Sequence, residues 1–268
     1  MSKTTATGAL RITRRMPVLR FLARAGFAVN GLLHAVIGYL AIRVAAGAYV
    51  QADPDGAFGQ IRSSLGGLFV LWAVSIGLAA LGIWLVLGAF LLHPRDSKTG
   101  AMRFAIELGK GVAYLALAAA AFAYAWQGAG PSSAGSPSVS ASVMASPGGL
   151  FLVALIGVGV LAVGGYFVVK GVRRTFTDDI DVPSGTAGRG VVAMGVWGYV
   201  SKGVALAIVG VLFIGAAVTT DTSAATGLDG ALKSLLTLPL GPVIVSVVGA
   251  GFIAYGVYCL VRAKYARL

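Results

Sequence analysis

Residues 66–90 read GGLFVLWAVSIGLAALGIWLVLGAF, a run of 25 residues without a charge. About 20 apolar residues in a helix cross the roughly 30 Å hydrocarbon core of a bilayer, so this run is long enough to span it. The run is apolar on every side of the helix and lacks the alternating pattern of a membrane β-strand. It therefore predicts a transmembrane helix.

Five further runs of the same kind predict five more transmembrane helices. Apolar residues make up 57% of the 268 residues and charged residues 11%, whereas soluble domains are about 45–50% apolar. The predicted spans lie near residues 26–46, 67–92, 109–127, 148–170, 199–219 and 241–261. The predicted fold class is all-α, an integral membrane bundle of six transmembrane helices.

The basic residues predict how these spans are oriented. With six spans, 18 of the 21 Lys and Arg residues lie on the same side as the two termini, and only Arg43, Arg62 and Lys233 lie on the other side. Basic residues concentrate on the cytoplasmic side of membrane proteins, so both termini are predicted to be cytoplasmic. The first twenty residues lack a short apolar core ending in a cleavage site, and we therefore expect no cleaved signal peptide.

The second, fourth and sixth spans repeat one another. GGLF occurs at residues 66–69 and again at residues 148–151, and three small residues recur at one spacing in each of these spans. They are Gly77, Ala80, Gly82; Gly159, Ala162, Gly164; and Gly251, Ala254, Gly256. Small side chains let helices approach closely in membranes, so these are predicted helix-packing positions.

The first, third and fifth spans carry small residues every seven positions, which is nearly two helical turns. They are Gly31, Gly38, Ala45; Gly111, Ala118, Ala125; and Gly203, Gly210, Ala217. Each set forms a groove on one face of its helix. We predict that the grooves receive neighbouring helices, and a lipid tail or a flat hydrophobic ligand is the alternative occupant.

Together these patterns predict three two-helix repeats that share one orientation, because each contains an even number of spans. Such parallel repeats can be related by a pseudo-threefold axis along the membrane normal. The predicted segments are a basic cytoplasmic N-terminal segment at 1–19, repeat 1 at 20–95, repeat 2 at 96–175, a cytoplasmic linker at 176–190 and repeat 3 at 191–268.

Two of the outer connections predict short helices at the membrane surface. Asp55-Gly56-Ala57 and Asp229-Gly230-Ala231 are each followed by apolar residues at helical spacing. An aspartate at a helix start accepts hydrogen bonds from free backbone N–H groups, and the apolar stripe faces the membrane.

Two stretches resemble a known family: LARAGFAVNGLLHAVIGYLAIRVA at residues 22–45 and DGALKSLLTLPLGPVIVSVVGAGFIAYGVYCLVRA at residues 229–263. They are similar to the bacterial membrane family described as domain of unknown function 1206, which is common in actinobacteria and carries three tandem two-helix repeats. The resemblance runs from about residue 20 onward, and the middle repeat departs most, with IELGKGVAY at residues 106–114. It implies the fold and a bacterial inner (plasma) membrane location, but no activity and no catalytic residue.

Three polar residues occupy equivalent positions in the three repeats: Asn30, Lys110 and Lys202. If they face the bundle interior, they form a polar ring that could attract an anion, a lipid phosphate or a carboxylate. Each lies near the cytoplasmic end of its span, where a lysine also reaches the lipid headgroups. Three interpretations are open: the side chains snorkel to the membrane surface, they bind lipid headgroups, or they form a functional ring. The Glu107–Lys110 spacing allows an ion pair and favours snorkelling.

The chain is not predicted to hold a metal or another cofactor. A structural zinc site needs about four nitrogen or sulfur ligands and a six-coordinate haem needs two axial ligands, whereas His34, His93 and Cys259 are the only histidines and cysteine in the sequence. Asp178, Asp179 and Asp181 could bind a divalent metal for phosphoryl chemistry. Three arginines flank them, so a charge-balanced loop is the preferred interpretation; these are Arg173, Arg174 and Arg189.

No sequence motif of a nucleotide-binding loop, a zinc protease or a serine hydrolase is present, and the basic residues form no nucleic-acid motif. We therefore predict a non-enzymatic accessory or interaction subunit of a membrane assembly. Its predicted partners are membrane lipids, with anionic headgroups at the cytoplasmic face, and a membrane protein, without nucleic acid. The alternative function is a pathway for a small solute, ion or lipid along the pseudo-threefold axis.

Overall fold

The computed structural model describes residues 17–92, 98–127, 139–221 and 227–267. Within them, six helices are long and apolar enough to cross a membrane, which confirms the predicted six-span bundle. They are α1 (Pro17–Ala45), α3 (Gly67–Leu92), α4 (Lys98–Gln127), α6 (Gly149–Val172), α7 (Gly185–Thr219) and α9 (Gly241–Tyr265). Most of the predicted N-terminal segment, and His93, lie outside the described residues.

A short helix separates the two long helices of every repeat. These short helices are α2 (Pro54–Arg62), α5 (Val139–Met144) and α8 (Gly227–Leu236). The sequence predicted α2 and α8 but not α5, because the middle connection lacks the Asp-Gly-Ala motif. Each repeat is therefore a long helix, a short helix and a second long helix. We call the end of the bundle that carries the short helices the short-helix face, and the opposite end the terminal face.

The cap of α2 differs from the predicted one. Its N-cap is Asp53, not Asp55, and the Asp53 carboxylate accepts a 2.9 Å hydrogen bond from the Gly56 N–H. Pro54 explains the shift, because proline has no N–H and its fixed φ suits the first helical position. The Asp229 side chain in α8 accepts a 2.9 Å hydrogen bond from the Ala52 N–H, so it ties repeat 3 to repeat 1.

The turn that leads into the second long helix is the same in all three repeats. Its last residue has a left-handed backbone in each case, with φ of 74° at Gly66, 77° at Gly148 and 62° at Leu240. The next residue donates its N–H over 2.9 Å to the carbonyl three positions back; these pairs are Gly67 to Ser64, Gly149 to Ser146 and Gly241 to Leu238. Glycine adopts this conformation without strain, whereas Leu240 does not.

We expect Leu240→Gly to raise the free energy of unfolding by about 1 kcal/mol, since a left-handed backbone costs a residue with a Cβ about 1–2 kcal/mol and the more flexible unfolded chain offsets part of the gain. Thermal unfolding in detergent, followed by circular dichroism, measures the change. Leu238→Gly is the matched control in the same turn and should lower the stability, because Leu238 is not left-handed. A lower unfolding temperature for Leu240→Gly would contradict the expectation.

The repeats pack on one another in a closed series. The second long helix of each repeat lies against the first long helix of the next, so that α3 packs on α4, α6 on α7 and α9 on α1. Each interface brings two glycines face to face, and a Cβ on either would lie within 3.0 Å of the other's carbonyl oxygen. The pairs are Gly82 with Gly111, Gly164 with Gly203, and Gly256 with Gly31. The small residues therefore bring the backbones into direct contact.

Seven residues, or about two helical turns, away, a second contact recurs in the three interfaces. Two of them use a further glycine pair, Gly157 with Gly210 and Gly249 with Gly38. In the α3–α4 interface the equivalent residues are Ser75 and Ala118, and the Ser75 hydroxyl donates a 3.0 Å hydrogen bond to the Ala118 carbonyl oxygen. A buried hydrogen bond thus replaces backbone contact there.

The main apolar core lies in the half of the bundle next to the short-helix face. Phe58 of α2 and Leu232 of α8 are fully buried within it, beside residues of α1, α3, α4, α7 and α9 such as Ile37, Leu71 and Val245. Side chains therefore fill this part of the interior.

Candidate functional site

The two long helices of repeat 2 do not pack against each other as they do in the other repeats. In repeats 1 and 3, α1 lies along α3 and α7 lies along α9, whereas α4 and α6 have almost no contact. Exposure of equivalent residues shows the difference: Val74 is 0% exposed and Val248 7%, but Ile156 of α6 is 42% exposed. Repeat 2 is therefore open between its two long helices.

A glycine that is missing from repeat 2 explains this separation. Gly26 of α1 lies against Leu81, and Gly198 of α7 lies against Tyr255, with distances of 2.6 Å from an added Cβ to Leu81 Cβ and to Tyr255 Cα. The equivalent residue of α4 is Ile106. A side chain branched at Cβ cannot occupy a space that excludes even a Cβ, so α4 and α6 cannot approach as the other pairs do.

The walls of the gap carry glycine on both sides. Gly109 and Gly159 are equivalent to the contacting pairs Val29–Gly77 and Ser201–Gly251, yet an added Cβ on either would meet no atom within 4 Å. Gly159 and Ala162, two of the predicted packing positions, are accordingly exposed. We call the two uncovered faces of α4 and α6 the α4–α6 opening; by equivalence with the contacting faces of repeats 1 and 3, its residues are Ile106, Gly109, Ile156, Gly159 and Val163, all of them exposed.

A polar cluster lies inside the bundle in the half next to the terminal face. Asn30 is only 3% exposed, and its Nδ2 donates a 3.5 Å hydrogen bond to Cys259 Sγ. Nδ1 of His34 lies 2.8 Å from the Asn30 carbonyl oxygen, and the His34 ring packs 4.8 Å from the Tyr255 ring, centroid to centroid. The predicted cofactor candidates His34 and Cys259 thus contact protein groups. No group of three or more metal-ligating side chains occurs among the described residues.

The three residues of the predicted polar ring are in different surroundings. Lys202 Nζ lies over the Tyr255 ring at 4.5 Å and over the Phe167 ring at 5.2 Å, where cation–π attraction stabilises its charge. Lys110 is exposed and pairs with Glu107 at 2.9 Å. Asn30 is therefore buried and Lys202 is half-buried beside aromatic rings, whereas Lys110 lies on the surface of α4.

The Asp178–Asp181 loop is fixed to the end of α9. Phe176 is fully buried, and the Tyr258 hydroxyl donates a 3.2 Å hydrogen bond to its carbonyl oxygen. The Asp181 N–H donates over 2.9 Å to the Tyr265 carbonyl oxygen. These bonds hold the loop in a short 3₁₀ turn (Thr175–Asp179) that presents its carboxylates to basic residues.

The carboxylates of this loop are balanced by different cations from those predicted. Asp179 pairs with Lys170 at 2.8 Å and with Arg262 at 3.5 Å, and Asp181 pairs with Arg267 at 2.7 Å. The predicted partners Arg173, Arg174 and Arg189 form no ion pair within the described parts of the chain. The loop is charge-balanced, but by Lys170 of α6, Arg262 of α9 and Arg267 just after α9, and the tertiary fold brings the last two near the loop.

The arrangement of the described residues defines a multi-pass helical membrane protein built from three copies of one unit. The chain belongs to the family described as Domain of Unknown Function (DUF1206), whose model matches residues 25–91, 108–174 and 197–266. It is similar to the "Uncharacterized protein YxxB" of Bacillus subtilis (strain 168), with 28% identity over 256 residues that cover 94% of this chain and 93% of the relative. No solved structure matches the chain.

Proposed function

We propose that the protein is a non-enzymatic accessory subunit of a membrane assembly, and that the α4–α6 opening receives one transmembrane helix of a partner protein. One observation carries the proposal: α4 and α6 are separated, although the equivalent helices of the other two repeats pack together. The family and the relative leave the activity open, so the proposal depends on this local difference.

The walls of the opening favour a helix as its occupant. In repeats 1 and 3 a helix covers the equivalent surface: α1 packs on Gly77, and α7 packs on Gly251. Gly109 and Gly159 present the same small surface without a covering group, and the other lining residues are uncharged. Small residues allow close helix contact and gain dispersion energy that disordered lipid tails supply less well.

The orientation forms part of the proposal. The sequence assigns 18 of the 21 basic residues to the side of the membrane that holds both termini, so we propose that the terminal face is the cytoplasmic face of a bacterial inner membrane. The partner helix enters the opening laterally from the bilayer, because α4 and α6 both span the membrane.

The acidic loop supports a non-enzymatic role, because Asp179 and Asp181 are already engaged in ion pairs.

A pathway through the bundle is the second candidate. Asn30 is buried and Lys202 is half-buried, which favours it, since polar groups enclosed in membrane proteins often mark a path for ions or protons. The apolar core next to the short-helix face counts against it, because Ile37, Leu71 and Val245 fill that half.

Site-specific photo-crosslinking in the native membrane tests the proposal. A p-benzoyl-phenylalanine residue at position 159 should yield one discrete adduct with a membrane protein, identified by mass spectrometry. Position 165 is the matched control, because Gly165 is also on α6 and has open space around it, but its equivalents Ile83 and Val257 face outward. Position 165 should give only diffuse lipid adducts.

Two outcomes would contradict the proposal. Lipid adducts alone at both positions would show that the opening holds ordinary bilayer lipid. A discrete lipid or small-molecule adduct at position 159, without a protein, would transfer support to the pathway, and uptake measurements would follow.

A further inference from the structure

A cavity of about 700 Å³ lies at the terminal face, between the turn after α6 and the first turns of α7. Arg174 and Arg189 stand on its polar side, and Val192, Val196 and Trp197 form an apolar wall along α7. The cavity is separate from the α4–α6 opening and from the polar cluster around Asn30. Its lining combines the positive charge of two arginines with an apolar surface that continues along α7 toward the membrane.

Neither arginine has a carboxylate partner among the residues that the structure describes. Of the acidic residues nearest in sequence, Asp179 pairs with Lys170 and Arg262 and Asp181 pairs with Arg267, while Asp178 is exposed and forms no ion pair with either arginine in the described part of the chain. None of the ion pairs among residues 17–92, 98–127, 139–221 and 227–267 includes Arg174 or Arg189. Two guanidinium groups on one cavity without a counter-charge favour an anionic ligand, and their forked geometry suits phosphate oxygens.

The start of α7 adds to this positive field. Ser184 is its N-cap, but the Ser184 side chain makes no capping hydrogen bond. Gly185 and Gly188 of the first turn line the cavity. Free N–H groups at a helix N-terminus attract anions through hydrogen bonding and the helix dipole.

The apolar wall favours a phospholipid over a free anion as the ligand of the cavity. Val192 and Val196 are four residues apart and share one face of α7, and the adjacent Trp197 extends this wall beyond Arg189. Trp197 is 45% exposed, and tryptophan concentrates at the level of lipid headgroups. A phosphate with an acyl chain attached would meet both parts of the cavity at once.

We propose that this cavity binds the headgroup of an anionic phospholipid, with the phosphate between Arg174 and Arg189 and the upper acyl chain on Val192, Val196 and Trp197. The site recognises one lipid molecule, beyond the general attraction of basic residues to the membrane surface. It is independent of the proposed partner helix, which enters on the far side of α6.

Native mass spectrometry of the full chain in detergent tests the site, with phosphatidylglycerol, phosphatidylcholine and inorganic phosphate as separate probes. The wild-type chain should retain one phosphatidylglycerol in preference to phosphatidylcholine. The double variant Arg174→Gln with Arg189→Gln should bind it about 25-fold more weakly, about fivefold for each arginine. Arg173→Gln is the matched control, since Arg173 is exposed in the same loop but does not line the cavity, and its binding should be unchanged.

A second variant separates binding from folding. Arg174 has a left-handed backbone with φ of 57°, so Arg174→Gly should unfold at an equal or higher temperature and yet lose phosphatidylglycerol about fivefold. Equal binding by the wild type and the double variant would overturn the site. Binding of inorganic phosphate without a preference for phosphatidylglycerol would overturn the lipid assignment.

Discussion

Substitution of Gly203 by leucine should lower the free energy of unfolding by at least about 3 kcal/mol. A Cβ at this position would lie 2.7 Å from the Gly164 carbonyl oxygen and 2.7 Å from the Val168 backbone nitrogen. Both are backbone atoms, so a rotamer change cannot relieve the overlap and the helices must move apart. The effect is large because α6 has little contact with α4 and depends on α7.

Gly165→Leu on the facing helix is the control for this substitution. It adds the same side chain on α6, where an added Cβ meets no atom within 4 Å, and should change the stability by less than about 0.5 kcal/mol. Unfolding in mild detergent, followed by circular dichroism and by size-exclusion chromatography after heating, compares the two. If Gly203→Leu unfolds at the wild-type temperature, the glycine contact does not hold α6 in place.

Asp179→Asn should lower the free energy of unfolding by about 2 kcal/mol. The Asp179 carboxylate is the shared partner of Lys170 and Arg262, and its loss leaves both cations in a largely enclosed site. Arg262 also packs 4.4 Å from the Phe27 ring and has no hydrogen-bond partner for its Nε. Without the Asp179 carboxylate, the Arg262 guanidinium therefore loses an ion-pair partner while its Nε has no hydrogen-bond partner among the described residues.

The matched variant is Asp178→Asn, one residue away. Asp178 is exposed and forms no ion pair in the described part of the chain, so its amide variant should be close to wild type. Chemical unfolding of both variants in detergent gives the difference. Equal losses for the two would indicate a general charge effect of the loop and would remove the specific role of Asp179.

The sequence predicted which helix faces carry small residues, because close packing leaves a periodic record on each helix. Gly31, Gly111 and Gly203 recur at equivalent positions, and each meets a glycine of a neighbouring repeat. The opening in repeat 2 also had a signal, since Ile106 stands where repeats 1 and 3 have Gly26 and Gly198. That comparison carries meaning only when the contact made by Gly26 is known.

The surroundings of the polar residues could not be predicted in the same way. Lys110 and Lys202 occupy equivalent positions, but Lys110 is exposed beside Glu107 while Lys202 is enclosed by Tyr255 and Phe167. The aromatic rings come from α6 and α9, far away in the sequence. The arginines that flank the acidic loop were predicted to balance its charge, but they form no ion pair in the described part of the chain. Proximity in sequence is not proximity in the fold.

The sequence by itself determined the six spans, the repeats and the faces on which small residues lie, because hydrophobic length and helical periodicity are local properties of the chain. The tertiary structure alone decided which helix meets each face, that α4 and α6 stay apart, and that Arg174 and Arg189 face a cavity without a carboxylate. These features depend on backbone distances between residues remote in sequence. For α4 and α6, the distance depends on whether a Cβ fits between the two helices, as Gly26 and Gly198 show in the other repeats.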